Sequence, residues 1–280
     1  EKFVSRAVFS PDATQLLVDA SGEAFDGIGL KIKEGQTSNT SDGQLFLYNI
    51  ADKSIKPLTK DFDPSVDSYE WNALDKQIYI MAKDKDRVRM YSLNPSNGKI
   101  KQLQAKEDVI SDYSIANQAF EMVYFGLSAS NSQRLYTYNL KNDASSCLID
   151  LSKEILRDVT LGEVQDWNFV SAQGDTIYGR FYLPPHFDAT KKYPMIVNYY
   201  GGTTPTARVM ESRYPSHVYA GLGYIVYIIQ PSGATGFGQE FSARHVNAWG
   251  KLTADEIIEG TKKFCEEHPF VNTKKIGCMG

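Results

Sequence analysis

Cysteine is scarce in this chain: three in 280 residues (Cys147, Cys265 and Cys278), far apart and with no C-x-x-C pair. A disulfide framework is therefore not expected, although so few thiols do not identify a redox compartment. Histidine is nearly as rare. His186, His217, His245 and His268 show no metal-ligand spacing and no carboxylate four residues away on a shared helix face. Each reads as a surface or packing residue, and neither a metal nor a cofactor is expected. An excess of one charge is also missing, with 30 basic and 34 acidic residues and a net charge of −4. That removes the basic footprint a nucleic-acid or anionic-lipid partner requires. No apolar run approaches the ~20 residues of a membrane-spanning helix. The start at Glu1-Lys2-Phe3 carries no charged-then-apolar leader. Any signal peptide is thus expected to have been removed or to lie outside these residues. The compartment stays open between periplasmic or exported and cytoplasmic, with the lean towards export.

Aromatic residues are abundant, with 17 Tyr and 14 Phe, and most sit in short alternating runs that favour strands. Across residues 1–150 these runs repeat. Gln15-Leu-Leu-Val-Asp-Ala, Gln77-Ile-Tyr-Ile-Met-Ala and Glu121-Met-Val-Tyr-Phe-Gly each precede a second run containing Tyr48, Tyr91 or Tyr138. A polar turn and a third short strand follow, near Ile55, Ile100 and Cys147. The tyrosines stand 43 and 47 residues apart. A period of ~40–50 residues with several short strands per unit is the signature of a β-propeller. A β-sandwich also has regularly spaced strands, but the registered tyrosines favour the propeller. Residues 1–163 are therefore expected to form about three blades of a partial propeller, with others upstream. The insertion Glu23–Asp42 in the first unit reads most simply as a surface loop.

From residue 164 the pattern changes. A hairpin around Gln173-Gly-Asp leads to the unbroken apolar run Met195-Ile-Val, which reads as a strand buried on both faces. The run ends in Asn198-Tyr-Tyr-Gly-Gly202. In open α/β sheets ligands sit outside the carboxyl ends of strands, so phenols and flexible backbone there mark a place for chemistry. Next are expected a helix over 207–220 divided by Pro215, and the buried strand Gly223-Tyr-Ile-Val-Tyr-Ile-Ile. Gly233-Ala-Thr-Gly-Phe-Gly238 is not the G-x-G-x-x-G dinucleotide geometry and reads as a tight loop. Thr253-Ala-Asp-Glu256 reads as a capping box opening a helix whose apolar face is Ala254, Ile257/Ile258, Thr261 and Phe264/Cys265. Lys275-Ile-Gly-Cys-Met-Gly280 begins the next strand. This order leads up to a G-x-S-x-G nucleophile elbow on an α/β-hydrolase sheet.

Four stretches resemble the prolyl oligopeptidase family of serine peptidases (S9), nearest its dipeptidyl-peptidase IV and acylaminoacyl-peptidase branches. They are Gly174-Asp-Thr-Ile-Tyr-Gly-Arg-Phe-Tyr-Leu-Pro-Pro, Lys191-Lys-Tyr-Pro-Met-Ile-Val-Asn-Tyr-Tyr-Gly-Gly, Gly236-Phe-Gly with Trp249-Gly250, and Lys274-Lys-Ile-Gly-Cys-Met-Gly280. The resemblance implies a β-propeller over residues 1–163 and the N-terminal half of an α/β-hydrolase domain over 164–280. It also implies a serine acyl-enzyme mechanism on short peptides of dipeptidyl or acylaminoacyl type. The family's serine, aspartate and histidine would follow Gly280, so residues 1–280 alone are expected to be inactive. The one catalytic position carried over is Tyr200, whose phenol would donate to the oxyanion, with Tyr199 the second choice. The sequence departs from the family at Ser232-Gly-Ala, where an Arg-Gly-Ser run is common. A carboxylesterase of the same fold and a non-catalytic propeller that binds peptide or protein partners are the alternatives, and homo-oligomerisation stays open.

Overall fold

A computed structural model describes residues 3–248 and 250–280, so Glu1, Lys2 and Trp249 of the Trp249-Gly250 pair lie outside the described residues. The first half is three successive four-stranded antiparallel units. They are β1 (Val4–Phe9), β2 (Gln15–Ser21), β3 (Gly43–Asn49) and β4 (Ile55–Pro57); β5 (Ser65–Trp71), β6 (Ile78–Asp84), β7 (Arg87–Leu93) and β8 (Ile100–Gln102); and β9 (Val109–Ile115), β10 (Glu121–Ser128), β11 (Asn131–Asn139) and β12 (Ala144–Asp150). Among the described residues, the strand ladders of the second and third units pair at a single point, where Val88 meets Val109. The strand ladders form no closed barrel among the described residues. A single turn, α1 (Ala24–Gly27), lies within the long β2–β3 connection.

Each unit contains one more strand than the sequence reveals. The first strands of the units, β1, β5 and β9, interleave charged and hydroxyl residues with apolar ones, so their alternation is weak. Tyr48, Tyr91 and Tyr138 all fall on the third strand of their unit. Their register differs, however. Tyr48 and Tyr138 stand one residue before Asn49 and Asn139 and face Leu16 and Met122, whereas Tyr91 stands three residues before Asn94 and faces Ile80. The constant marker is asparagine. Asn49, Asn94 and Asn139 are spaced by 45 residues each, and every Oδ1 accepts backbone N–H groups of the turn that follows. An Asx turn of this kind ends the third strand and starts the reversal into the fourth.

After α2 (Ser152–Ile155) comes a six-stranded mixed sheet of β13 (Val164–Asp166), β14 (Phe169–Val170), β15 (Thr176–Tyr182), β16 (Tyr193–Asn198), β17 (Ile225–Gln230) and β18 (Val271–Met279). Its order is β13-β15-β17-β16-β18, with β14 on β15 and with β16 parallel to both β17 and β18. The helices are α3 (Ser216–Gly221), α4 (Gln239–Ala243) and α5 (Lys251–Glu267). β17 is buried along its whole length. Ile225, Tyr227 and Ile229 pack with Phe264 of α5, while Val226 and Ile228 pack with Ala220 of α3. The chain runs from β16 to β17 on one side and then crosses back to β18. Right-handed crossovers in opposite directions put the two helices on opposite faces.

Three local expectations are corrected. Only the part after Pro215 is helical, and Ala207 to Tyr214 have no regular structure. α5 begins at Lys251, and Glu256 accepts the Ser232 N–H at 2.7 Å instead of closing a capping box. Its buried side is Thr253, Glu256, Gly260 and Phe264, while Ala254 and Ile258 are exposed. The cause is Gly260: a Cβ there would lie 2.6 Å from the Phe169 ring, so α5 meets the sheet through its glycine. The insertion 23–42 is also more than a surface loop, because Asn39 and Asp42 are buried against Gly233 and Ser242.

The β2–β3, β6–β7 and β10–β11 connections all meet the α/β half. Gln239 donates to Gly29 O at 3.0 Å in the first, Lys85 N donates to Gly236 O at 2.9 Å in the second, and Ser130 lies 3.3 Å from the His217 ring in the third.

Candidate active site

β16 and β18 are neighbours in register, with Asn198 opposite Met279, and Tyr199 N donates to Met279 O at 3.1 Å. The carboxyl end of the central strand therefore lies beside Gly280. A Cβ on Gly280 would collide with the Tyr199 carbonyl, so the two strand ends approach as closely as glycine allows.

Alternation sends the two phenols to opposite sides. Tyr199 packs on the α5-side core, and a hydrogen bond with the Cys278 thiol, then burial, pushes its phenol pKa up. Tyr200 is 60% exposed and its hydroxyl has no hydrogen-bond partner among the described residues. Its ring lies over Gly202, where any Cβ would strike it, and Gly201 takes a φ of +70°. The Gly-Gly pair thus provides both the left-handed turn and the space under the ring. Tyr214 closes the far side by donating to Gly280 O at 3.2 Å.

The irregular segment after Gly202 is held by side chains that sequence reasoning missed. Gln230, at the end of β17, receives Thr206 N at 2.9 Å and donates to Thr206 O at 2.7 Å. Arg180 of β15 donates to Thr206 O at 3.1 Å and to Ala207 O at 2.6 Å. An arginine between Gly179 and Phe181 in an otherwise apolar strand is the signal that could have exposed this role, because a buried guanidinium needs partners. The 233–238 loop is tight: Gly233, Gly236 and Gly238 have positive φ, and a Cβ on Gly236 would lie 2.7 Å from Lys83 O. None of the four histidines joins Tyr200. His268 stacks on Phe264 at 4.0 Å, His217 packs edge-on to Tyr182, His245 lies against Gly233, and His186 is in the turn after β15. A cleft of about 550 Å³ at the junction of the halves is lined by Asp63, Asp84, Tyr178, Phe237 and Arg244, but not by Tyr200. Among the described residues no cluster of His, Cys, Asp and Glu could hold a metal ion.

Residues 211–280 match the model of the prolyl oligopeptidase family. Dipeptidyl-peptidase 5 of Porphyromonas gingivalis is 26% identical over 273 residues, covering 97% of this chain and 38% of the relative. Dipeptidyl-peptidase 5 of Aspergillus fumigatus is 27% identical over 271 residues, covering 91% and 36%. Among solved structures, Pyrococcus horikoshii acylaminoacyl peptidase superposes with a TM-score of 0.77 at 19% identity, over 97% of this chain and 40% of its own. An acylaminoacyl peptidase in complex with Z-Gly-Gly-Phe-chloromethyl ketone gives 0.79 at 19% identity, over 99% and 40%. The chain thus spans 36% to 40% of the length of these proteins. A family match over residues 211–280, and similarity to dipeptidyl and acylaminoacyl peptidases along nearly the whole length, make the chain similar to proteins of the prolyl oligopeptidase (S9) family.

Proposed function

We propose that the chain is part of a serine peptidase that cleaves short peptides of dipeptidyl or acylaminoacyl type. Residues 1–163 contribute propeller blades and 164–280 the first half of the α/β-hydrolase domain. The names of the relatives, dipeptidyl-peptidase 5 and acylaminoacyl peptidase, support the peptide substrate class. The observation that carries the reading is the exposed Tyr200 phenol, one strand from the end of β18.

The nucleophile would be the serine expected two residues beyond Gly280. A histidine base would take its proton as it attacks the scissile carbonyl, forming a tetrahedral intermediate whose former carbonyl oxygen is anionic. One backbone N–H and the Tyr200 hydroxyl would donate to that oxygen. A neutral phenol gains most at that moment, so its effect falls on the transition state. Tyr199 is the poorer donor because its ring is packed on the core. Collapse of the tetrahedral intermediate breaks the C–N bond, the histidine returns the proton to the leaving amine, and the acyl-serine ester remains for water to hydrolyse.

Kinetics of Tyr200→Phe beside Tyr199→Phe in the complete protein, on a dipeptide amide and an N-acyl amino-acid amide, test the assignment. Tyr200→Phe should lower kcat by ~10²–10³ with KM little changed, and Tyr199→Phe should leave kcat nearly intact. The reverse pattern, or full activity in both variants, would overturn it.

A further inference from the structure

Asp86 is the anion on which the two halves of the molecule close. It sits in the β6–β7 turn and is 7% exposed. Three guanidiniums surround it. Arg180, 1% exposed, donates from Nη1 to Asp86 Oδ2 at 2.8 Å. Arg208 donates from Nε to the same oxygen at 3.1 Å, with its Nη2 3.0 Å away, and its backbone N–H binds the Asp86 carbonyl at 2.8 Å. Arg87 holds Oδ1 at 3.1 Å. The other acids nearby stand further out: Asp166 contacts Arg208, and Asp108 pairs with Arg87 at 3.1 Å.

These arginines are the ones that shape the segment following the Gly-Gly turn. Arg180 holds Thr206 and Ala207, and Arg208 belongs to the segment itself. With no helix or strand of its own, that backbone must find its hydrogen bonds in side chains. An unpaired buried guanidinium is strongly unfavourable. Asp86 is the one carboxylate paired with Arg180 among the described residues, while Arg208 shares it with Asp166, so Arg180 above all depends on Asp86 for its place.

Resting on the oxyanion reading of Tyr200, we infer that Asp86 is a positioning residue for that site. By fixing Arg180 and Arg208, Asp86 fixes residues 203–208, and through the short Gly201-Gly202 link it fixes the phenol. A side chain of the antiparallel half thereby sets the geometry of a donor in the α/β half. Misplacement of a catalytic group by ~1 Å can cost on the order of 10² in rate, so a small release of this segment has a large consequence.

The test is Asp86→Asn in the complete protein, read in two ways. Hydrogen–deuterium exchange of peptides covering 201–210 should rise by about tenfold or more, with β16 itself still protected. In a double-mutant cycle, Tyr200→Phe should cost ~10² in kcat in the otherwise unmodified protein but less than about threefold in the Asp86→Asn background. An Asp86 that only joins the halves would lower the melting temperature and leave the Tyr200→Phe penalty whole. That result, or unchanged exchange over 201–210, overturns the inference. A neutral Tyr200→Phe in the otherwise unmodified protein overturns the oxyanion reading instead, and the exchange result still decides for or against the anchor. If Asp86→Asn does not fold, Arg208→Lys, which keeps the charge and loses the planar fork, takes its place in both measurements.

Discussion

The antiparallel half and the α/β half both bury tyrosines, but on different terms. In the antiparallel units the phenols reach partners at turns and strand ends. Tyr79 donates to Asp75 at 2.6 Å, Tyr124 to Ser145 at 2.9 Å and Tyr136 to Glu107 at 2.6 Å, while the Tyr138 oxygen accepts from Gln104 N at 3.1 Å. In the α/β sheet, Tyr193 and Tyr182 also find partners. Tyr227, in the middle of β17, finds none: its hydroxyl is buried without a hydrogen bond, and its ring stacks on Phe264 at 4.5 Å. A narrow antiparallel unit never places a side chain far from a turn, so a polar tip on an aromatic body can be satisfied. A strand covered by helices on both faces offers only apolar neighbours, and a polar tip there is a burden.

That contrast can be broken most forcefully at Phe264, which is fully buried against Tyr227, Phe181 and His268. Phe264→Ala should cost ~3–5 kcal/mol in chemical denaturation. A loss below ~1 kcal/mol would show that ring packing does not hold the covered sheet. The next effect compares two identical substitutions. Tyr136→Phe removes a hydrogen bond to a buried carboxylate and should destabilise by ~1.5–3 kcal/mol. Tyr227→Phe removes only an orphan hydroxyl and should be neutral or stabilising by up to ~1–3 kcal/mol. Equal losses at both positions would erase the distinction between the halves.

The smallest effect is in pH dependence, where two buried carboxyls should respond with opposite signs. Burial works against the charge of Asp86, but the guanidiniums of Arg180, Arg208 and Arg87 outweigh it and hold its pKa below the ordinary value. Its contribution is therefore in place above the ordinary aspartate pKa of about 3.9 and is lost as pH falls through the depressed value. Glu256 is pushed up by burial, against the Ser232 hydrogen bonds. Its charged form is a penalty that is absent below the ordinary glutamate pKa of about 4.3 and grows as pH rises towards the folded value. Urea denaturation from acid to neutral pH should then show Asp86→Asn losing stability only away from acid, and Glu256→Gln gaining it there. Curves that shift in the same direction would mean that the arginines do not dominate at Asp86.

The strands were legible wherever apolar residues alternate or run unbroken, as in β2, β6, β10, β16 and β17. The first strands of the units, β1, β5 and β9, were not, because hydroxyl and charged residues interrupt their apolar ones. The tyrosines gave the repeat but not its register, since a shift of two residues leaves an aromatic ring on the same face. The asparagines that keep register were visible and unremarked, their role being to end a strand and not to fill a core. On α5, a short motif pointed to a cap, yet the contact with Ser232, 24 residues back in the chain, took Glu256 instead. The place of Tyr200 at a strand end could be read from the glycines after it. The Asp86 cluster could not: Arg180 stands out as a guanidinium in an apolar strand, but nothing local points to an anion 94 residues away or to Arg208, 122 residues from Asp86, as its second partner.

The meeting of the β2–β3, β6–β7 and β10–β11 connections with the α/β half has a consequence for how such a chain can vary. Part of the contact between the halves recurs once per repeat, at hairpin tips whose lengths are free to change. Each doubling of a flexible loop adds only ~0.6 kcal/mol of closure entropy. The first tip already carries about twenty extra residues and the second almost none, yet both dock. Tip length is thus a dial for reshaping the junction while the strand ladders behind it keep their pattern, one repeat at a time.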